Sequence, residues 1–201
     1  ILNAKRNNPS DDLLSAIANA ELEGQKLSPE FLDGSWLLII FAGNDTTRNT
    51  LSGAIKLLTE NPDQKQKLIE NPELMPNFLQ ECIRMVSPVI HMRRTTTCET
   101  ELGGQLMGPG EKIVMWYGAA NRDPSIFTNP DKFDIERENA DKHLAFGIGR
   151  HTCVGKPVAL MQLEESYKQI LSRFPNIHMS GNWKVAPNNF VHAIQEMPVK
   201  F

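Results

Sequence analysis

Hydrophobic positions along the chain predict one long helix in its first third. Ser28 precedes Pro29 in the arrangement that begins a helix, and no further proline follows until Pro62. A helix over residues 29–60 would be roughly 48 Å long at about 1.5 Å per residue. One segment of it is apolar on nearly every side, so we expect the helix to cross the middle of a large fold. That segment consists of Leu37, Leu38, Ile39, Ile40 and Phe41.

Shorter helices are predicted on both sides of the long one. Ser10 as an N-cap and Gly24 as a terminating glycine predict a helix between these two residues. Two more helices are expected near 63–70 and 73–86, the second ending before Pro88.

The pattern changes from helix to strand near residue 88. Residues 88–117 are rich in Thr, Val and Ile and contain Gly-Gly and Gly-Pro-Gly, which predicts antiparallel strands joined by turns. Residues 118–142 look irregular, helical spacing returns over 156–174, and the tail 176–201 alternates like a short hairpin. The apolar face of the last helix consists of Leu160, Leu163, Tyr167, Ile170, Leu171 and Phe174. We therefore expect one domain over 1–201, mainly α with a minor antiparallel β sheet (α+β).

Composition narrows the functional classes. The chain of 201 residues is 40% hydrophobic and carries 21 Lys plus Arg against 24 Asp plus Glu, without a basic block, so no nucleic-acid partner is expected. Cys82, Cys98 and Cys153 lack C-x-x-C spacing, which favours a reducing, cytoplasmic location over a disulfide framework. The longest apolar run, 36–43, is too short to span a bilayer. Because the chain begins with Ile1 rather than Met, we expect a further segment upstream.

The stretch HLAFGIGRHTCVG surrounds one cysteine with glycines. A sulfur that binds a metal must stay deprotonated, and backbone N–H groups and the positive end of a helix stabilise the thiolate. Gly149 and Gly155 permit tight turns, and Pro157 opens the next helix so that its N-terminus points toward Cys153. Phe146 is expected to shield the sulfur from water. These features suit a single anionic axial ligand to a haem iron.

Three other interpretations of Cys153 stay open at this point. A zinc site would use the nearby His143 and His151 but needs further ligands at workable spacing. A nucleophilic cysteine would need a His and an Asn or Asp partner that the sequence alone cannot place. The simplest interpretation is a buried, inert cysteine beside a turn.

The spacing F-x-x-G-x-x-x-C-x-G resembles the haem-binding signature of the cytochrome P-450 family. It falls here on Phe146, Gly149, Cys153 and Gly155. At average residue usage, a chance match in such a chain is on the order of one in a thousand. The resemblance implies that these residues bind haem b and that Cys153 is the metal ligand.

A polar cluster midway along the long helix, FAGNDTTRNT, provides a second match. Gly43 leaves room for a flat molecule near the backbone, and the Thr46 hydroxyl can bond the Ala42 carbonyl and loosen the helix. The alternative is a solvated Asp45 beside an ordinary helical threonine. The run resembles the family's oxygen-activation motif, A-G-x-D/E-T-T, which implies that Asp45 and Thr46 are catalytic and relay protons to dioxygen.

The sequence ECIR places Glu81 and Arg84 on one helical face. Alone the spacing is weak evidence, because surface ion pairs of this kind are common. In position it resembles the family's Glu-x-x-Arg pair, a structural pair behind the haem. The third partner is usually an Arg in a P-x-R-F segment, where Lys132 stands here; Arg137 and Arg122 are the candidates to replace it.

Two further residues match positions that bind the haem propionates in the family. The R-x-A pattern of the first strand falls on Arg94, with Thr96 where Ala is usual, and His151 stands two residues before the cysteine. The resemblance implies one propionate contact for Arg94 and one for His151. The alternative is that both are ordinary surface charges.

The resemblance runs from about residue 10 to the end and covers the C-terminal half of the family's fold. It implies a monooxygenase that inserts one atom of O2 into a C–H bond, with electrons from NAD(P)H through a ferredoxin reductase and a ferredoxin. A docking patch for the ferredoxin is expected at Arg150, Lys156, Lys168 and Arg173. The alternative is a truncated, non-catalytic haem-thiolate fragment.

The resemblance also carries an expectation about the substrate. AGNDTTRNT, HMRRT, VMWYGAANRD and NNFVHAIQEMPVKF look most like the soluble bacterial branch that hydroxylates the terminal carbon of medium-chain alkanes and fatty acids. Related branches act on sterol side chains or terpenes. The expected pocket residues are Ile39, Ala42, Gly43, Val89, Ile90 and Phe190.

Overall fold

A computed structural model describes all residues from 1 to 201. The chain consists of two compact units, residues 1–44 and residues 45–201. As predicted, the secondary structure is mainly helical with small antiparallel sheets. No helix is both long enough and apolar enough to cross a membrane.

The first unit contains two short helices, a hairpin and the beginning of the long helix. Its elements are α1 (Leu2–Asn7), α2 (Leu13–Ala18), β1 (Glu21–Leu22), β2 (Gln25–Lys26) and the N-terminal part of α3 (Pro29–Glu60). Buried Leu2, Ala18 and Leu32 form a small core. Arg6 reinforces it by donating from Nε to the carbonyl oxygen of Ala18 at 2.7 Å.

The helix predicted between Ser10 and Gly24 is shorter in the structure. Asp12, not Ser10, is the N-cap, and its carboxylate accepts from the Ser15 N–H at 2.7 Å. The chain then turns back as the β1–β2 hairpin, with Glu23 at φ 53° and Gly24 at φ 77°. Two positive φ angles are what a two-residue hairpin loop of type I′ requires, so the glycine serves a strand turn rather than a helix end.

The long helix is confirmed over Pro29–Glu60, and the Ser28 hydroxyl caps it by accepting from the Phe31 N–H at 3.2 Å. The sequence predicts that the helix crosses the middle of a large fold, yet most of its apolar segment is exposed in this chain. Leu37 and Leu38 are 68% and 64% exposed, and the neighbouring Ile40 and Phe41 are exposed as well. Ile39 of the same segment is half-buried, so the exposed side chains lie on the other side of the helix.

The second unit is built around two helices, α5 (Met75–Val86) and α7 (Lys156–Arg173). Its other helical elements are α4 (Pro62–Glu70), a 3-10 turn at Pro72–Leu74 and α6 (Tyr117–Ala120). Phe78 of α5 and Tyr167 of α7 meet edge-to-face, with ring centroids 5.1 Å apart. The Tyr167 hydroxyl also donates to the carbonyl oxygen of Leu51 on α3 at 2.6 Å. Together these contacts fix α7, whose N-terminus follows Cys153.

The strands form small antiparallel pairs, as predicted. In the 88–117 region, Gly103 and Gly104 are both at positive φ and make the turn between the second and third strands. The tail folds as two antiparallel pairs of strands, one enclosed by the other. In the 88–117 region the strands are β3 (His91–Thr95), β4 (Thr100–Leu102), β5 (Gln105–Met107) and β6 (Lys112–Trp116), with β3 paired to β6 and β4 to β5. In the tail, β7 (His178–Met179) pairs with β10 (Val199–Lys200), and β8 (Lys184–Val185) with β9 (Ile194–Glu196).

Candidate functional site

Residues 143–155, which we call the cysteine loop, present one sulfur at the start of α7. The Cys153 N–H donates to the carbonyl oxygen of Phe146 at 2.8 Å, which closes the loop. Gly147 and Gly149 have φ of 68° and 72°, and a Cβ on Gly147 would lie 3.2 Å from the carbonyl oxygen of His151. The loop therefore needs glycine at 147 for both conformation and space.

The sulfur lies beside the N-terminus of α7. A Cβ on Gly155, the N-cap of that helix, would be 3.9 Å from Cys153 Sγ, and Pro157 stands in the first turn. The Cys153 side chain is exposed, so the interpretation as a buried, inert cysteine is wrong. Cys82 is the buried cysteine, and burial raises the pKa of its thiol well above the ordinary value.

Phe146, which is predicted to shield the sulfur, is half-buried against the core of the second unit. Its ring centroid lies 5.7 Å from that of His143, and Lys156 Nζ stands 5.4 Å from the ring centroid. The ring thus contacts both residues, while its role as a shield for the sulfur stays a prediction.

Arg94 and His151 come together although they are far apart in sequence. Both line one cavity of about 280 Å³, together with Gly147 and Ile148 of the cysteine loop. The rest of the wall is largely apolar and consists of Met115, Trp116, Tyr117, Ala120 and Leu144. A guanidinium and an imidazole beside an apolar wall suit a flat hydrophobic group that carries acidic substituents.

The Glu81–Arg84 pair is completely buried. Arg84 donates from Nε and Nη2 to the two carboxylate oxygens of Glu81 at 2.7 and 2.8 Å. Its Nη1 donates to the carbonyl oxygens of Asn121 and Pro130 at 2.7 and 2.8 Å. A buried ion pair needs such additional hydrogen bonds, because desolvation of both charges is costly. The pair therefore ties α5 to the irregular segment 118–142.

Arg137 is the third member of this cluster, one of the two candidates named from the sequence. Its Nε donates to Glu81 Oε1 at 3.1 Å. The other candidate, Arg122, pairs with Asp131 instead. Lys132 takes part only through its carbonyl oxygen, which accepts from Arg137 Nη2 at 2.8 Å, because its ammonium pairs with Asp134.

Asn121 is a site residue that the sequence analysis missed. It is fully buried; its amide donates to the Ser87 hydroxyl at 2.8 Å, and its side-chain oxygen accepts from the Leu144 N–H at 2.7 Å. Its carbonyl oxygen is also one of the acceptors for Arg84. Asn121 thus connects the ion-pair cluster to the cysteine loop, and an asparagine in an irregular stretch gave no indication of this.

The predicted proton carriers lie on α3. Asp45 pairs with Arg48 at 2.9 Å, and its carbonyl oxygen accepts from the Asn49 amide at 2.8 Å. The carbonyl oxygen of Thr46 accepts from the Thr50 hydroxyl at 2.9 Å. The Arg48 partner was not anticipated, and it gives the carboxylate a neighbouring cation. The relay role of Asp45 and Thr46 stays a prediction.

Three of the six expected pocket residues come together in the second unit. The Ile90 N–H donates to the carbonyl oxygen of Phe190 at 2.8 Å, and Val89 forms a bridge with Val191. The other three, Ile39, Ala42 and Gly43, lie on α3 within the first unit. A Cβ on Gly43 would contact nothing within 4 Å, in accord with the open backbone expected there.

Two further expectations from the sequence concern a zinc site and a docking patch. No three His, Cys, Asp or Glu side chains gather as a metal site, and both ring nitrogens of His143 have hydrogen-bond partners, so the zinc interpretation has no ligand set. In the expected docking patch, Arg150 and Arg173 are exposed, while Lys168 pairs with Glu164 at 2.6 Å.

Comparison with known proteins identifies the family. The family profile described as Cytochrome P450 matches residues 2–196. The chain is 37% identical to linalool 8-monooxygenase of Pseudomonas putida over 99% of its length, and 38% identical to steroid C26-monooxygenase of Mycobacterium tuberculosis H37Rv over 98%. The solved structure of cytochrome P450-153 from Novosphingobium aromaticivorans superposes with a TM-score of 0.90 at 40% identity, over 99% of this chain and 49% of that one. The chain belongs to the cytochrome P450 family.

The comparisons also show how much of the family's length is present and which cofactor to expect. The chain spans about half the length of the curated relatives it matches, 49% of the first and 50% of the second. The family implies a haem-thiolate cofactor, and the residues present fit that group on two structural observations. The exposed Cys153 sulfur lies beside a helix N-terminus, and Arg94 and His151 line one largely apolar cavity.

Proposed function

We propose that the protein acts as a haem-thiolate monooxygenase, inserting one atom of dioxygen into a C–H bond of a hydrophobic substrate. The observation that carries the proposal is the cysteine loop: an exposed thiol at the start of α7, on the loop whose Gly147 and His151 line the cavity shared with Arg94. When bound, haem supplies the iron at which dioxygen is reduced.

Each residue of the site has a proposed task. Cys153 binds the metal as a thiolate, which the N-terminus of α7 stabilises through its dipole. Arg94 and His151 hold the acidic substituents of the cofactor by charge-assisted hydrogen bonds. Asp45 and Thr46 deliver protons, and Arg48 stands 2.9 Å from the Asp45 carboxylate as a neighbouring cation.

The first experiment asks whether the protein binds haem through a thiolate. We expect the reduced carbon-monoxide difference spectrum of the purified protein to contain the band specific to thiolate-ligated haem. A ferredoxin and its reductase should then support NAD(P)H oxidation. A protein that shows the band but oxidises no NAD(P)H would be the non-catalytic haem-thiolate alternative. No band would contradict the proposal.

The proposed substrates are medium-chain alkanes or fatty acids, hydroxylated at the chain end. The apolar Val89, Ile90 and Phe190 lie on two segments joined by the Ile90–Phe190 hydrogen bond and the Val89–Val191 bridge, and their apolar character supports a hydrophobic substrate. A second candidate is a terpene or a sterol side chain, favoured by the relatives named for linalool and for steroid C26.

Product analysis separates these two candidates. With octane or decanoic acid we expect oxygen at the terminal carbon, as in the branch of the family that the sequence resembles most. Mid-chain or ring products would overturn terminal hydroxylation. Turnover of linalool in preference to both straight chains would favour the second candidate.

A further inference from the structure

His143 is a buried histidine at the start of the cysteine loop, and the proposed reaction makes no use of it. Its Nδ1 accepts from the Ala145 N–H at 3.2 Å, and its Nε2 lies 3.1 Å from Oε1 of Gln80 on α5. A nitrogen that accepts a backbone N–H cannot carry a proton itself. The proton of the neutral ring is therefore on Nε2, which donates to Gln80.

We propose that His143 is a positioning residue: as a neutral imidazole protonated on Nε2, it fastens the cysteine loop to α5, and proton uptake at Nδ1 removes this attachment. The attachment itself rests only on the hydrogen bonds described. Its consequence for the sulfur of Cys153 rests on the proposed function.

The loop begins with two consecutive anchored amides. The Leu144 N–H donates to the side-chain oxygen of Asn121 at 2.7 Å, and the next amide, Ala145, donates to His143. Gln80, the partner of His143, immediately precedes Glu81 of the buried ion-pair cluster. Asn121 accepts a hydrogen bond from Arg84 of that cluster, and Gln80 is the neighbour of Glu81 on α5. The position of the loop is therefore set by α5. If Nδ1 carried a proton, two N–H donors, that of Ala145 and that of the imidazole, would face each other, and the hydrogen bond between Ala145 and His143 would be lost.

The surroundings keep the imidazole neutral. Burial is the main cause that lowers the pKa of His143, from 6.5 to about 4, and the positive charges of Lys156 on α7 and Arg84 on α5 lower it further. Asp141, on the 3-10 turn Ala140–Lys142, opposes them.

The direction of the pH effect follows from this lowered pKa. In the unfolded chain the histidine takes up a proton near its ordinary value of 6.5, whereas the folded chain resists protonation until about pH 4. The stabilising contribution of His143 is therefore complete above pH 6.5 and is lost as the pH falls toward 4.

The test measures amide hydrogen exchange of residues 144–153 in the full chain, corrected for the intrinsic pH dependence of exchange. Protection should fall as the pH falls from 6.5 to about 4. In Gln80→Glu the midpoint should move up by about one pH unit or more, because a carboxylate at hydrogen-bond distance favours the imidazolium. In His143→Asn, whose amide oxygen can still accept from Ala145, this titration should disappear. His178→Asn, at an exposed histidine, is the matched control and should behave like the unaltered chain.

Nitrogen NMR of the imidazole decides the question even where a variant fails to fold. The unaltered chain at neutral pH should have an unprotonated Nδ1 on His143. A protonated Nδ1, or identical midpoints in the unaltered chain, Gln80→Glu and His143→Asn, would overturn the inference. Neither measurement needs haem, so a loop that titrates as expected beside an absent carbon-monoxide band would support the inference and refute the proposed function.

Discussion

Two ion pairs with the same sequence spacing show that burial decides how much a charged residue contributes to stability. Glu81–Arg84 and Asp45–Arg48 are both i,i+3 pairs on helices, with their closest contacts at 2.7 and 2.9 Å. The first pair is fully buried, whereas Arg48 and Asp45 are 59% and 34% exposed. Spacing in the sequence predicts both pairs equally, and burial separates a structural cluster from a surface contact that contributes little.

This difference predicts unequal costs for two matched substitutions. Arg84→Leu leaves the buried Glu81 with Arg137 as its remaining ion-pair partner, so the free energy of unfolding should fall by about 3–5 kcal/mol. Arg48→Leu removes an exposed pair and should cost no more than about 1 kcal/mol. Denaturant unfolding of the full chain measures both values. Equal losses would contradict the distinction between the two pairs.

At the scale of elements, strong local patterns predicted the structure well. A cap before an N-terminal proline fixed the start of α3 at Pro29, and the spacing of apolar residues predicted α7. The helix expected between Ser10 and Gly24 failed because Gly24 suits a helix end and a hairpin turn equally. The pairing of β1 with β2 and the positive φ of the neighbouring Glu23 show that the chain uses the hairpin turn.

The sequence located the cysteine loop but only some of the residues that support it. The signature named Cys153 and Gly149, since their spacing is local. The anchors Asn121 and Gln80 escaped prediction because each reaches the loop from a distant part of the chain. Arg137 was recognisable only as one of two candidates, because choosing it over Arg122 requires the path of the segment 118–142.

At the scale of the whole molecule, the features proposed to hold haem are concentrated in one unit. The cysteine loop, the ion-pair cluster and the cavity lined by Arg94 all lie within residues 45–201. The exposed apolar side chains Leu37 and Leu38 lie in the other unit, 1–44. The proposed cofactor binding therefore depends first on the second unit, and on one sulfur within it.

The most direct measurement is the carbon-monoxide difference spectrum of the haem-loaded full chain carrying Cys153→Ala, beside Cys98→Ala as the matched control. Both cysteines are exposed, and Cys98 lies outside the cysteine loop. We predict that the alanine at 153 abolishes the band of thiolate-ligated haem, while the alanine at 98 leaves it unchanged. A Cys153→Ala protein that keeps this band would contradict the account.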